Sequence, residues 1–154
     1  MCIRDSGQIS PEQAEAYHAA LHGILEAGQQ ILAAGGTALD AVCLAVKLLE
    51  DCPLFNAGHG AVFTSRETHE LDAAVMDGAT LAAGAVAGVC RVRNPVEAAR
   101  AVMVRGQHVL MAGEGAEAVA REAGLAAVSP DYFSTEARRQ QPVSYTHLTL
   151  PTKA

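Results

Sequence analysis

Small and apolar residues recur three and four positions apart at Tyr17, Leu21, Ile24, Leu25, Gly28, Ile31 and Leu32, which predicts an amphipathic helix. Its start is written as Ser10-Pro11-Glu12-Gln13: an N-cap serine, a proline at the first helical position and a glutamine able to close a capping box. Gly35-Gly36 ends it. A second helix opens at Thr37, with Asp40 three residues on, and its spacing buries Leu39, Val42, Val46 and Leu49. Pro53 cannot extend that helix beyond Glu50 and Asp51, so the chain turns there. Residues 61–63 read as a short strand, 65–68 as a polar turn and 69–76 as the returning strand of a hairpin. The small and β-branched run 81–89, with Gly84 and Gly88 inside it, predicts a tightly packed interior strand. Asn94-Pro95-Val96-Glu97 repeats the cap, proline and acid pattern and starts a helix through Met103 and Val104. Residues 108–111 read as a short strand, 116–123 as a helix stopped by Gly124, and 128–141 as a polar linker. Helices first, then strands, then helix, strand and helix predict helices layered on an antiparallel or mixed sheet, an α/β (α+β) class with too few strands to satisfy itself.

Most polar specificity falls in 49–78, where Asn56-Ala57-Gly58-His59-Gly60 strings together residues that tolerate tight backbone. Carbonyls and amides in such a loop are free to face inward, so it can hold a cation or approach a substrate; as a plain connector it would do neither. His69, Glu70 and Asp72 invite a metal reading, but strand alternation places Glu70 and Asp72 on one face and His69 on the other. No C-x-x-C spacing occurs, and the H-x-x-x-H spacing falls at His18 and His22 on the first predicted helix, away from these residues. His18 and His22, one helical turn apart, read as exposed neutral histidines, and Asp77-Gly78 as a turn pair.

Composition narrows the classes. The chain has 154 residues, one domain by length, and half of them are apolar, enough for a core. A formal charge of −6 and a pI near 5.4 disfavour nucleic acid or an anionic membrane as partner. Arg91 with Arg93, and Arg138 with Arg139, read as solvated surface. No apolar run approaches the roughly 20 residues a membrane-spanning helix needs. Cys43, Cys52 and Cys90, an odd set without a dense framework, fit reduced thiols in a cytoplasmic protein. Abundant alanine and glycine with no tryptophan predict close backbone packing between layers.

Both ends read differently from the middle. Met1-Cys2-Ile3-Arg4 can be written ATG TGT ATA AGA, whose reverse complement translates as Ser-Tyr-Thr-His, the tetrapeptide found at 144–147. One inverted DNA element flanking an insert would give both. Residues 1–6 and 142–154 are therefore expected to be adapter-derived tails, and 7–141 the natural segment.

With these residues in view, the chain resembles the plant-type L-asparaginase and isoaspartyl peptidase family of N-terminal nucleophile hydrolases, bacterial type. The resemblance rests on GGTALDAV at 35–42, LEDCPLFNAGHGAVF at 49–63, ELDAAVMDG at 70–78, LAAGAVAGV at 81–89 and RNPVEAARAVM at 93–103. It implies an αββα four-layer sandwich made by a precursor that cuts itself into α and β subunits and assembles as a dimer of αβ pairs, this chain being an incomplete α portion. It implies hydrolysis of L-asparagine and β-aspartyl dipeptides by a threonine exposed at the start of β, its own amino group acting as base. On that reading no catalytic residue lies in this chain, no cofactor serves catalysis, and the chain alone is inactive. It further implies a structural sodium ion held by the main-chain carbonyls of Leu49, Glu50, Cys52, Phe55, Ala57 and His59, with Asn56 a positioning residue near the nucleophile. Glycosylasparaginase or threonine aspartase would keep the fold and change the substrate; a non-catalytic scaffold retaining only the α layer would keep neither nucleophile nor chemistry.

Overall fold

The computed structural model describes residues 10–140 of the chain; the proposed tails at 1–6 and 142–154 lie outside the described residues. The predicted capping box forms at the first helix, and the helix start read at Thr37 is closed by a second one. In α1 (Pro11–Ala33) Ser10 Oγ accepts the Gln13 amide at 3.2 Å while Gln13 Oε1 accepts the Ser10 amide at 3.1 Å. In α2 (Ala38–Asp51) Thr37 Oγ1 accepts the Asp40 amide at 3.0 Å. Gly35, at φ +82°, supplies the left-handed residue that lets the two helices fold back on each other. Only Ile24 of α1 is buried, and Leu21, Leu25 and Leu32 stay exposed. Leu39 and Val46 of α2 pack against the core as expected, but Val42 is half exposed and the buried positions are Ala41, Cys43 and Glu50. The helix presents its inward face to both α1 and the third helix, and Val42 falls on neither side.

The predicted hairpin of 61–63 with 69–76 is not built. Residues 61–63 run without a ladder because their polar groups go elsewhere: the Val62 amide donates to Asn56 Oδ1 at 2.9 Å, and the Val62 carbonyl faces His69 Nδ1 at 3.2 Å. The hairpin forms one element later, between β1 (Leu71–Met76) and β2 (Ala83–Val89), which run antiparallel. Asp77 closes its turn by accepting the Ala79 amide at 2.9 Å and the Thr80 hydroxyl at 2.8 Å. Asp72 Oδ1 takes the Gly88 amide at 2.8 Å beside an irregularity in the register.

From β2 the chain crosses through α3 (Pro95–Arg105) to β3 (Leu110–Ala112), which lies parallel to β2, so the three-stranded sheet is mixed with β2 central. Helix α4 (Gly113–Glu122) starts three residues earlier than the sequence predicts. Leu71, Val75, Val86 and Val89 face α3 and α4, while Asp72, Ala74 and Met76 face away. Gly84 makes the contact tight: a Cβ there would lie 2.2 Å from the Ala99 carbonyl and 2.4 Å from the Met103 amide of α3. The core is correspondingly rich in alanine and valine, as composition predicts.

The last described segment is no linker. Residues 130–133 form a 3₁₀ turn and α5 (Glu136–Gln140) follows, with Phe133 fully buried in the main core and edge-on to His69. A single bridge between Val92 and Ala127 brings the chain back to the core, where one buried aromatic outweighs the polar character of its neighbours.

Asn94 occupies the N-cap of α3 but makes no side-chain cap; its amide donates to Asp51 Oδ1 at 3.1 Å instead. The cap comes from another helix. Glu50, near the end of α2, accepts the Val96 amide on Oε1 at 2.9 Å, while its buried Oε2 has no hydrogen-bond partner. Burial raises this carboxyl from 4.5 to about 7, against the opposing hydrogen bond from Val96. The folded state therefore keeps a proton that the unfolded chain gives up, so this contribution is full below pH 4.5 and is lost as pH rises to about 7. Glu50→Ala should cost about 1–3 kcal/mol by orphaning the Val96 amide. Glu50→Gln keeps that acceptor and should gain on the parent as pH rises through this window, measured by denaturant unfolding at pH 5 and pH 8.

Candidate functional site

The chain from Asp51 to Gly60 turns twice in ten residues. Cys52 ends α2 with its amide on the Leu49 carbonyl at 3.3 Å, the Phe55 amide reaches the Cys52 carbonyl at 3.4 Å, and a 3₁₀ turn, Gly58–Gly60, closes with the Gly60 amide on the Ala57 carbonyl at 3.1 Å. Glycine is required at both ends of that turn. A Cβ on Gly58, which sits at φ +49°, would lie 2.2 Å from the Glu50 carbonyl oxygen. One on Gly60 would lie 2.2 Å from the Phe55 oxygen and 2.6 Å from the Pro53 oxygen. The backbone oxygens of Glu50, and of Phe55 and Pro53, thus lie against these two glycines where any side chain would collide with them. Each carbonyl oxygen carries two lone pairs, so the long turn bonds at Leu49, Cys52 and Ala57 leave acceptor capacity. Carbonyl oxygens as a donor set would suit a hard cation of low charge.

Asn56 is exposed and spends its Oδ1 on the Val62 amide, holding the loop to the stretch that follows. His59 leans on Tyr132: its Nδ1 lies 2.5 Å from the Tyr132 carbonyl and the rings are 4.8 Å apart. Asp51 Oδ1 gathers Arg93 Nε at 3.1 Å, Asn94 Nδ2 at 3.1 Å and the Tyr132 hydroxyl at 3.4 Å. Arg138 Nε donates to the Gly60 carbonyl at 2.7 Å, and the guanidinium of Arg139 lies over the Phe63 ring. Arg93, Arg138 and Arg139, read from sequence as solvated surface, therefore grip the loop and its flank. Tyr132 and Asp51 were not legible as site residues; the Tyr132-Phe133 pair inside a polar stretch was the available signal.

His69 is buried where the loop, β1 and the final segment meet, with Nδ1 facing the Val62 carbonyl and Nε2 3.0 Å from Ser134 Oγ. A neutral ring fits these partners: Nδ1–H donates to the carbonyl and Nε2 accepts from the hydroxyl. Burial lowers its pKa below the usual 6.5.

Other chemistry-bearing groups are dispersed. Glu70 pairs with Arg66 at 2.6 Å, His18 and His22 are exposed on α1, and among the described residues no three His, Cys, Asp or Glu side chains converge as a metal site. No described helix is long and apolar enough to cross a membrane. Cys43, Cys52 and Cys90 are free thiols. An open cleft of about 650 Å³ lies between α2, α3 and α4, but its charges are paired, Lys47 with Glu97 at 2.8 Å, Arg100 with Asp40 at 2.5 Å and Arg105 with Glu122. Burial raises the Cys43 thiol in its wall, which keeps it protonated.

Compared with known proteins, the chain matches the sequence profile of a family described as asparaginase over residues 2–146. It is 63% identical over 134 residues to the isoaspartyl peptidase of Salmonella typhimurium strain LT2, a match covering 87% of this chain and 43% of that protein. It is 60% identical over 134 residues to the isoaspartyl peptidase of Escherichia coli K12, covering 87% and 42%. A plant-type L-asparaginase of Pyrococcus abyssi is 48% identical over 124 residues, covering 77% and 40%. The chain thus spans about two fifths of the length of these relatives.

Gly58→Ala should lower stability by about 2 kcal/mol or more, combining strain at positive φ with the overlap on Glu50, and should expose the loop to protease; melting temperature and nicking rate check this. For His69 the unfolded chain takes up a proton first, so its contribution to stability is lost as pH falls below about 6.5, the opposite slope to Glu50. His69→Gln should abolish that acid-side loss in unfolding titrations between pH 7 and pH 5.

Proposed function

This chain belongs to the asparaginase family of N-terminal nucleophile hydrolases, and from that premise we propose that residues 7–141 are most of the α portion of an isoaspartyl peptidase and L-asparaginase, residues 1–6 and 142–154 being adapter-derived. The observation that carries the substrate class is the likeness to the two enterobacterial isoaspartyl peptidases, which runs through the loop and sheet described above. The parent protein is a hydrolase of β-aspartyl dipeptides and L-asparagine, a cytoplasmic dimer of αβ pairs in which this segment is covered by its own β subunit.

The reaction needs an N-terminal threonine that this chain does not supply from 10–140. Its hydroxyl adds to the side-chain carbonyl carbon, its free amino group takes the proton, the amine or ammonia leaves, and water then releases aspartate from the acyl-enzyme. What the described residues contribute is scaffold. The carbonyls of Leu49, Glu50, Cys52, Phe55, Ala57 and His59 would hold a sodium ion; bound there, it supplies a fixed positive charge that keeps the oxygens from repelling one another. Asn56, through its bond to the Val62 amide, fixes the loop edge that faces the nucleophile in the assembled enzyme.

The 154-residue polypeptide, purified alone, should release neither ammonia from asparagine nor aspartate from a β-aspartyl dipeptide, whereas the gene product carrying the segment downstream should do both after self-cleavage. Turnover by the isolated chain, or a downstream segment lacking a threonine that becomes an N-terminus, would overturn the assignment.

A further inference from the structure

We propose that Tyr132 staples together the two ends of the 51–60 loop, so that cation binding by the loop and docking of residues 130–139 onto it are one coupled event. The inference rests on the cation reading of the loop given above and adds what controls it. Asp51 and His59 mark the two ends of the loop, and a single residue more than seventy positions later touches both. The Tyr132 hydroxyl reaches Asp51 Oδ1, its carbonyl meets His59 Nδ1, and its ring stacks on the imidazole at a 40° tilt. The Arg93 guanidinium, itself bonded to Asp51, lies 5.6 Å from the centre of the same ring. Next to it Phe133 is fully buried, and Ser134 and Arg138 tie down the rest of the segment through His69 and the Gly60 carbonyl.

The physical reason is dipole repulsion. A cradle made of backbone oxygens sets several negative dipole ends facing one point, an arrangement that relaxes unless it is braced from outside or neutralised from inside. Tyr132 is the brace and the cation the neutralising charge. Bracing removes conformational freedom that cation binding would otherwise have to remove, so the docked segment raises affinity for the cation, and by linkage the cation raises the docked population by the same factor.

The test uses the full chain in sodium chloride and in choline chloride at equal ionic strength. Sodium binding is followed by 23Na line broadening and segment docking by amide hydrogen exchange at residues 130–139. Sodium, but not choline, should slow exchange in that segment. Tyr132→Ala should weaken sodium about tenfold and His59→Ala, which leaves the main-chain carbonyl in place, by a lesser factor. Tyr132→Phe, which keeps the stack and loses only the bond to Asp51, should weaken it about two- to threefold, and serves should the alanine variant fail to fold. Equal sodium affinity in the parent and a folded Tyr132 variant, or exchange indifferent to sodium, overturns the coupling and leaves the cation reading intact. No broadening with the parent chain overturns both.

Discussion

Two helix ends and one loop converge on Glu50, and much of the architecture depends on that meeting. Its side chain caps α3 through the Val96 amide, while its own carbonyl sits against Gly58 so closely that only a glycine fits. Helix α3 in turn lies on β2 at backbone contact, which Gly84 permits. The end of α2, the start of α3, the loop and the centre of the sheet are therefore fixed relative to one another by two side-chain-free approaches and one buried carboxyl. A buried acid is an expensive way to cap a helix. Here it does what an asparagine at the cap position cannot, because Asn94 is engaged with Asp51 and a local cap would not link α2 to α3.

Around that junction the loop is enclosed by interactions that all come from elsewhere in the chain. Asn56 ties it forward to Val62, Arg93 and Asn94 hold Asp51 from the start of α3, and Tyr132 with Arg138 closes it from the final segment. Loops ordinarily tolerate variation because few contacts constrain them. This one is constrained at both ends and along its inner face. The buried neutral His69 serves the same end on the other side of Phe133, joining β1 to the final segment without a net charge.

The capping box at Ser10, the helix start at Thr37, the break at Pro53, the central strand 83–89 and the helix after Asn94 were legible in the sequence because each depends on residues within four positions of one another. So was the glycine-rich loop, and the opposition of His69 to Glu70 and Asp72. What misled was the choice of partner at three places. Residues 61–63 have strand character, but Asn56 and His69 claim the polar groups of Val62. Val42 has helical spacing, but the orientation of α2 is decided by two neighbours. The polar run after Val128 conceals Phe133, whose burial could be inferred only once a pocket for it existed.

Local chemistry in the sequence thus determined where helices begin, where the chain must turn, and which family motifs it carries, since capping, proline geometry and glycine tolerance act over a few bonds. The tertiary structure alone decided that Glu50 caps a different helix from its own and that Arg93 and Arg138 grip a loop forty or more residues away. It alone decided that one tyrosine touches both ends of that loop. Those choices depend on which buried groups are left needing a partner once the layers have packed, and no window of neighbouring residues contains that information.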